Sequence, residues 1–337
     1  MIVVTGAAGF IGSCVVAQLN ERGQEDLVLV DHLECTKDGC PHRRSLPESC
    51  EDPKTKNLAN KKFAAYCDKA DFLDMILKDQ LPWDVSAIIH MGACSSTTLQ
   101  DAEYFQKNNF EYTRHLAQWA LDHKVRFIYA SSAATYGDGS CGYKDDVETI
   151  RRCRPLNLYG ESKQKLDEWI LDQNLLGQVV GLKFFNVFGP NEYHKKDMRS
   201  VIAKAYDGVV AEGKMRLFKS YKPEYGDGEQ KRDFIYVKDA VDVVLFFLDH
   251  PEKNGIFNVG TGQARTWNDL AQALFKATDQ APCIEYFEMP EVLKQRYQYF
   301  TQADMAQLKE AGYTRSFTSL EEAISDYANF LSKKSYL

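Results

Sequence analysis

The sequence predicts a doubly wound α/β fold with a smaller α+β C-terminal lobe, and three observations carry that expectation. Short β-branched runs alternate with longer helical patterns through the first half of the chain. A glycine-rich turn joins the first run to the first helix, and beyond about residue 185 the alternation gives way to loops marked by glycine and proline. The expected order is a strand at 2–5, a helix at 10–22, strands at 27–30, 63–67 and 85–90, a helix at 101–123, a strand at 127–130, a helix reaching 173 and a strand at 179–184. Crossover helices between strands imply a parallel sheet. Residues 1–185 are therefore read as one unit, with an insertion over about 33–61. Residues 186–337 are read as mainly a second lobe, with helices near 200–212 and 237–248 and a strand near 256–259. Ligands of open α/β sheets lie at the carboxyl ends of the strands, so this lobe is expected to close over that crevice and to carry substrate specificity.

Composition narrows the partners. The 337 residues carry a net charge of −7 without a long basic run, which argues against nucleic acid and for a small ligand. Nine cysteines, an odd number scattered along the chain, fit free thiols in a reducing compartment better than a disulfide framework. The first strand starts at Ile2, and no segment approaches the roughly 18 apolar residues of a membrane span, so a soluble cytoplasmic protein is expected. Cys35, Cys40, His42 and Cys50 in the insertion are spaced C-x4-C-x-H-x7-C. That lacks the tight C-x2–4-C hook of structural zinc sites, so the segment is read as a solvated loop and no metal is expected.

Gly6-Ala7-Ala8-Gly9-Phe10-Ile11-Gly12 follows the first strand and opens a helix, the context that gives a glycine pattern chemical meaning. Gly6 takes the tight turn, Gly9 admits a pyrophosphate close to the backbone, and Gly12 lets helix and sheet approach; the helix N-terminus faces the anion. This is the signature of a Rossmann-type dinucleotide site. Asp31 ends the second strand 19 residues after Gly12, where a carboxylate accepts hydrogen bonds from the adenosine ribose. His32, Lys54, Lys56 and Lys69 stand close in sequence and could neutralise a 2′-phosphate, so these residues leave both NAD and NADP open.

Tyr159 and Lys163 lie at i and i+4 on one expected helix and share a face. A tyrosine with a pKa of about 10 becomes a useful base at neutral pH only if roughly 4 kcal/mol of differential stabilisation is supplied, and an ammonium one turn away supplies part of it. Alone the pair is an ordinary surface motif. Beside the glycine loop and the strand end Ser131-Ser132-Ala133-Ala134-Thr135-Tyr136-Gly137, it resembles the extended short-chain dehydrogenase/reductase superfamily, and within it the nucleotide-sugar epimerases. The phrases His90-Met91-Gly92-Ala93-Cys94-Ser95-Ser96-Thr97-Thr98, Gly189-Pro190 followed by His194-Lys195, Lys231-Arg232-Asp233-Phe234-Ile235-Tyr236-Val237 and Arg296-Tyr297-Gln298-Tyr299-Phe300-Thr301-Gln302-Ala303-Asp304 are similar to those of the ADP-L-glycero-D-manno-heptose 6-epimerase family.

That resemblance implies inversion of C6 of ADP-D-glycero-D-manno-heptose, a precursor of the lipopolysaccharide core, by transient oxidation with tightly held NADP. It also implies a homo-oligomer, a pentamer in one form. Tyr159 is the implied base, assisted by Lys163, which lowers its pKa; Lys195 is a second proton carrier, and Ser132, with Ser131 as its neighbour, hydrogen-bonds the reacting oxygen. Implied cofactor contacts are Gly6, Gly9, Phe10, Ile11, Gly12, Asp31, His32, Lys54, Lys69, Met91, Gly92, Ala93, Cys94, Ser95, Asn108, Tyr159, Lys163, Val187 and Lys195. Implied substrate contacts are Ser95, Ser132, Asn186, Asp197, Lys204, Phe218, Lys219, Ser220, Arg232 and Tyr297. Arg232 suits a bidentate contact with a diphosphate, unless it pairs with Asp233 or Asp239. Met91, Asp197, Lys204 and Lys219 depart from the family pattern, which expects glutamate, serine, histidine and an acidic residue there. A UDP-hexose 4-epimerase would share the loop, Ser132, Tyr159 and Lys163. From another class, a catalytically silent NAD(P)-binding regulator would keep the fold with altered substrate residues.

Overall fold

The structure, a computed structural model, describes residues 1–33, 51–294 and 297–337. Cys35, Cys40, His42 and Cys50, and with them the zinc question, lie outside the described residues, as does Arg296.

The first part of the chain runs β1 (Ile2–Thr5), α1 (Phe10–Glu21), β2 (Leu27–Asp31), β3 (Ala65–Asp68), α2 (Lys69–Leu77), β4 (Ala87–His90), α3 (Ala102–Phe105), α4 (Tyr112–Asp122), β5 (Arg126–Ser132), α5 (Val147–Arg152), α6 (Leu158–Asp172) and β6 (Val180–Phe184). The remainder adds β7 (Asn186–Phe188), α7 (Val201–Glu212), β8 (Met215–Phe218), β9 (Lys231–Tyr236), α8 (Val237–Asp249), β10 (Gly255–Val259), β11 (Ala264–Thr266), α9 (Trp267–Ala277), β12 (Ile284–Phe287), α10 (Glu291–Lys294), α11 (Ala306–Glu310) and α12 (Leu320–Lys333).

Seven strands form the main sheet in the order β10-β6-β5-β4-β1-β2-β3, every pair parallel. The strand order reverses between β1 and β4, which opens a crevice at their carboxyl ends. Alternate residues of these strands feed two cores, as a sheet covered on both faces requires. Val3, Val28 and Ile88 pack with Leu116 of α4 and Ile170 of α6, while Val4, Leu29 and Ile89 pack with Val15 of α1 and Val241 of α8. A three-stranded sheet, β11-β9-β7, and a two-stranded one, β12-β8, build the smaller α+β portion. The main sheet takes its last strand, β10, from residues 255–259, far beyond residue 185.

Local chemistry sets the helix starts that matter for the site. Asn157 caps α6 by accepting from Gly160 N at 2.9 Å, so the turn carrying Tyr159 begins at a defined place. Thr266 with Asp269 and Ser319 with Glu322 form capping boxes at α9 and α12. The single helix expected over 101–123 is instead α3 and α4 joined by a π-helical segment, Gln106–Glu111. The reason is Asn109: the wider turn brings its amide inward, where Oδ1 accepts from Cys94 N (2.9 Å) and Nδ2 donates to Cys94 O (2.9 Å) and Ser162 Oγ (2.9 Å).

Candidate active site

A cleft of about 490 Å³ opens at the carboxyl ends of β1, β2, β4, β5 and β6, and every implied cofactor position lines it. Its floor is backbone. Gly6 has φ +66°, and a Cβ there would sit 2.6 Å from Gly92 N; a Cβ on Gly12 would sit 2.1 Å from Gly6 O. Helix α1 starts from Gly9 with no side-chain cap and no acidic residue in its first turn, so no carboxylate of the helix itself competes with an anion for its amides. These features fit a dinucleotide pyrophosphate.

At the ribose end Asp31 is already engaged. Its carboxylate accepts from Ala8 N (2.8 Å) and His32 N (2.7 Å) and pairs with Lys54 Nζ (2.8 Å), while Lys54 also donates to His32 O. Asp31, which the sequence places at the ribose of a bound cofactor, thus also organises the loop and pairs with Lys54. Lys69 Nζ donates to Asn108 Oδ1 (3.0 Å), and His32 Nδ1 lies 3.1 Å from Asp68 Oδ2.

Deeper in the cleft stand Ser132, Tyr159 and Lys163. Burial raises the pKa of the half-buried Tyr159 phenol, and its hydrogen bond with Ser132 pulls the other way. Lys163, one turn on from Tyr159, donates from its ammonium to Ala130 O at 2.7 Å. Lys163 itself is pulled down to about 8 by burial, opposed by the Asp167 carboxylate one turn on. Ser131 and Ser132 are distinguished by direction: Ser131 Oγ donates to Asp167 Oδ2 at 2.7 Å, away from Tyr159. Lys195 reaches the cleft from the 3₁₀ turn Tyr193–Met198, its Nζ 5.1 Å from the Phe10 ring centroid; burial lowers its pKa and Glu192 opposes this.

Several residues around the cleft carry no simple sequence signal. His90 is buried between Thr5 Oγ1 (2.6 Å) and Thr113 Oγ1 (2.9 Å). Because Thr113 gives its only proton to Asn109 O (2.5 Å), His90 Nε2 donates to Thr113 and Nδ1 accepts from Thr5. Burial, aided by the Lys163 charge, lowers its pKa to about 3 and keeps it neutral. Tyr104, Tyr112, Phe184, Phe185 and His194 line the cleft itself, with His90 beneath it. Polar residues inside an amphipathic helix, such as Asn109 and Thr113, are the one available signal for this layer.

The substrate positions are less unified. Ser95 and Ser132 lie in the main cleft, and Asn186 opens into an adjoining hollow of about 220 Å³ that shares Val187 and Lys195 with it. Arg232, buried to 6% exposure, donates to Lys231 O (2.9 Å) and Gln298 O and stacks over Tyr297 (5.1 Å) and Trp267 (5.9 Å). Neither candidate carboxylate pairs with it: Asp233 accepts from Thr261 N (2.7 Å), Gly262 N (2.9 Å) and Ala303 N (3.0 Å), and Asp239 accepts from Thr318 N (2.8 Å). Phe218 packs edge-on to Tyr297 at 6.3 Å. Ser220 N donates to Asp227 Oδ1 (2.7 Å), and Lys219 pairs with Glu288 (2.8 Å). Arg232, Tyr297, Phe218, Lys219 and Ser220 line neither hollow, and nor do the exposed Asp197 and Lys204; Lys204 Nζ lies 3.4 Å from Asp197 O. Among the described residues no group of three or more His, Cys, Asp or Glu could hold a metal, and no helix is long and apolar enough to cross a membrane.

An ADP-L-glycero-D-manno-heptose-6-epimerase from Nitratidesulfovibrio vulgaris (strain Hildenborough) is 52% identical over 97% of this chain and 96% of its own length. The chain belongs to the ADP-L-glycero-D-manno-heptose-6-epimerase family. A Fusobacterium nucleatum member of this 6-epimerase family is 43% identical, with 100% of both chains covered. The crystal structure of the Helicobacter pylori 6-epimerase superposes with a TM-score of 0.78 at 28% identity, covering 98% of this chain and 96% of that one. A profile of the NAD dependent epimerase/dehydratase family matches residues 2–260, the stretch that builds the cleft. The 6-epimerase family assignment makes this protein an isomerase that works with a nicotinamide cofactor.

Proposed function

We propose that the protein inverts C6 of ADP-D-glycero-β-D-manno-heptose, supplying the lipopolysaccharide core from the cytoplasm as a homo-oligomer, a pentamer in the form the family resemblance implies. The observation that carries the reading is the meeting of Ser132, Tyr159, Lys163 and Lys195 in one cleft with a backbone cradle for a dinucleotide. Gly6, Gly9, Phe10, Ile11 and Gly12 hold the pyrophosphate, and Met91 to Ser95, Asn108 and Val187 line the rest of the bound cofactor. Bound there, the nicotinamide supplies a reversible hydride acceptor, so oxidation and re-reduction cancel.

Tyr159 takes the proton of the C6 hydroxyl as the carbon is oxidised, with Ser132 hydrogen-bonding the same oxygen. Burial raises the phenol's pKa and the Ser132 hydrogen bond opposes it; Lys163 one turn away, and the positive nicotinamide ring when bound, would favour the phenolate further. Lys195 exchanges the proton when the ketone is reduced from its other face. Ser95 and Asn186 contact the sugar, Arg232 and Tyr297 hold the diphosphate, and Phe218 and Ser220 line the nucleotide. Asp197, Lys204 and Lys219 act at the rim, where they adjust rather than create recognition.

NADP is the favoured cofactor. The Lys54–Asp31 pair removes the negative charge that would repel a 2′-phosphate, and His32 and Lys69 stand beside it. Cofactor extracted from the purified protein is expected to carry a 2′-phosphate; NAD alone would overturn this part. Incubation with ADP-D-glycero-β-D-manno-heptose, followed by NMR of the C6 configuration, is expected to show interconversion. Failure to interconvert, with turnover of UDP-galactose instead, would replace the reading by a 4-epimerase.

A further inference from the structure

Beneath the catalytic groups lies a charge pair that the chemistry above does not use. Asp167 and Lys183 are both 0% exposed and lie 2.5 Å apart. The carboxylate is fully engaged: Oδ1 accepts from Tyr129 OH (2.9 Å), and Oδ2 accepts from Ser131 Oγ (2.7 Å) as well as Lys183 Nζ. Lys183 Nζ also donates to Thr135 Oγ1 (2.8 Å), which in turn donates to Ser132 O (2.8 Å). Net stability is a weak reason for such a pair, since a buried ion pair does little better than an apolar replacement of the same size.

Its placement offers a stronger reason. Tyr159, Lys163 and Asp167 stand at i, i+4 and i+8 on α6 and share one face of the helix. Tyr129 and Ser131 are two apart on β5, so both point toward Asp167, while Ser132 points to the other side and meets Tyr159. Ser131 is in register with Lys183 of β6, which brings that side chain to the same spot. Thus Ser132 is gripped from both flanks, through Ser131 on one side and Thr135 on the other. Lys163 is fixed to the same strand by its bond to Ala130 O (2.7 Å).

We propose that Asp167, anchored by Lys183, is a positioning residue that sets both the place of Ser132 and the charged state of Lys163 for proton transfer. It touches neither substrate nor cofactor; it acts through the two residues that do. The groups facing Lys163 are Asp167 and Tyr159 on its own helix, His90 from β4, and Lys183 from β6 through Asp167; Cys94 faces Tyr159 from the loop after β4. His90 is neutral, and the Lys183 charge is matched by Asp167, so Asp167 is the anion that favours the Lys163 ammonium against burial.

The inference rests on the epimerase reading, and its test separates the two. Wild-type protein and variants are assayed for ADP-heptose C6 inversion across pH, alongside thermal melting. Inactive wild-type protein would count against the epimerase reading. With active wild type, Asp167→Asn is expected to lower kcat more than KM and to move the alkaline limb of the profile toward acid by about one unit or more. The sign follows from charge: without the carboxylate, Lys163 loses its proton at lower pH. Asp167→Glu should restore part of the rate, and Ser131→Ala, which keeps the charge, should lower kcat about tenfold without moving the limb.

Asp167→Asn leaves Lys183 buried and unpaired, so it is paired with the double variant Asp167→Asn/Lys183→Met, which removes both charges. The double variant is expected to recover the melting temperature but keep the displaced limb and low kcat. Recovery of the wild-type profile with recovered stability would overturn the proposal, as would an unmoved limb in folded Asp167→Asn. If neither variant folds, Ser131→Ala decides: a wild-type rate with an unchanged melting temperature overturns it.

Discussion

The cofactor side and the substrate side of this molecule are built from different materials. Around the glycine loop, recognition comes from main-chain shape: the close pass of Gly6 against Gly92, the uncapped start of α1 and the ends of neighbouring parallel strands. On the proposed substrate side the candidates are long side chains on separate segments, with Arg232 beside the Tyr297 and Trp267 rings, Phe218 on β8, Asn186 on β7 and Lys195 on a 3₁₀ turn. Backbone shape tolerates few substitutions and leaves a motif. Side-chain recognition can be re-specified one residue at a time.

The largest expected effect sits where the two sides meet. Tyr159→Phe and Lys195→Met should each cut kcat by about 10² to 10⁴ while the cofactor stays bound, measured by turnover and by bound-cofactor absorbance. Loss of cofactor from both would place these residues in binding instead. Next, Gly12→Ala puts a Cβ against Gly6 O, and overpacking of this kind costs about 1–3 kcal/mol. It should release cofactor before it affects sugar-nucleotide binding; unchanged cofactor retention would break the contrast between the two sides.

Arg232→Lys keeps the charge but loses the planar fork, so KM should rise about tenfold with a smaller change in kcat. A fall in kcat alone would move Arg232 out of the binding surface. On the cofactor side, His90 adds an acid sensitivity. Its folded pKa of about 3 lies below its ordinary 6.5, so between those values the unfolded chain takes up a proton that the folded chain refuses. Stability from this group is full above pH 6.5 and falls on acidification, by at most about 1.4 kcal/mol per pH unit. Denaturant melts of His90→Gln should show a flatter decline between pH 6 and 4. Smallest of all, Lys204→Ala at an exposed position and Lys219→Ala at a half-exposed one paired with Glu288 should change kcat/KM by no more than about threefold.

The same contrast explains what could be read in advance. Strands and crossover helices followed from apolar periodicity because parallel strands are buried on both faces, and the glycine loop followed because its geometry admits few residues. Asp31 was placed at the right strand end, but its engagement by Lys54 was not legible: the partner comes from beyond a long insertion and no local spacing encodes the contact. The break in the 101–123 helix was missed because a π-helical turn preserves the apolar stripe while rotating one polar residue, Asn109, inward. Helical spacing shows that Lys163 shares a face with Tyr159, whereas only the fold shows that Ala130 O captures the ammonium.

The late arrival of β10 at the edge of the main sheet bears on how the chain must be made. Until residue 259 has left the ribosome, β6 presents an open row of amides and carbonyls, Val180 to Phe184, which β10 will pair through 255–259. An unpaired, apolar edge is a template for association with other chains. A nascent or truncated chain ending near residue 190 would therefore display a sticky flank, and the sheet is complete only once the chain has emerged as far as residue 259 of 337. Any tag, split site or circular permutation that delays or displaces 255–259 would prolong that exposure.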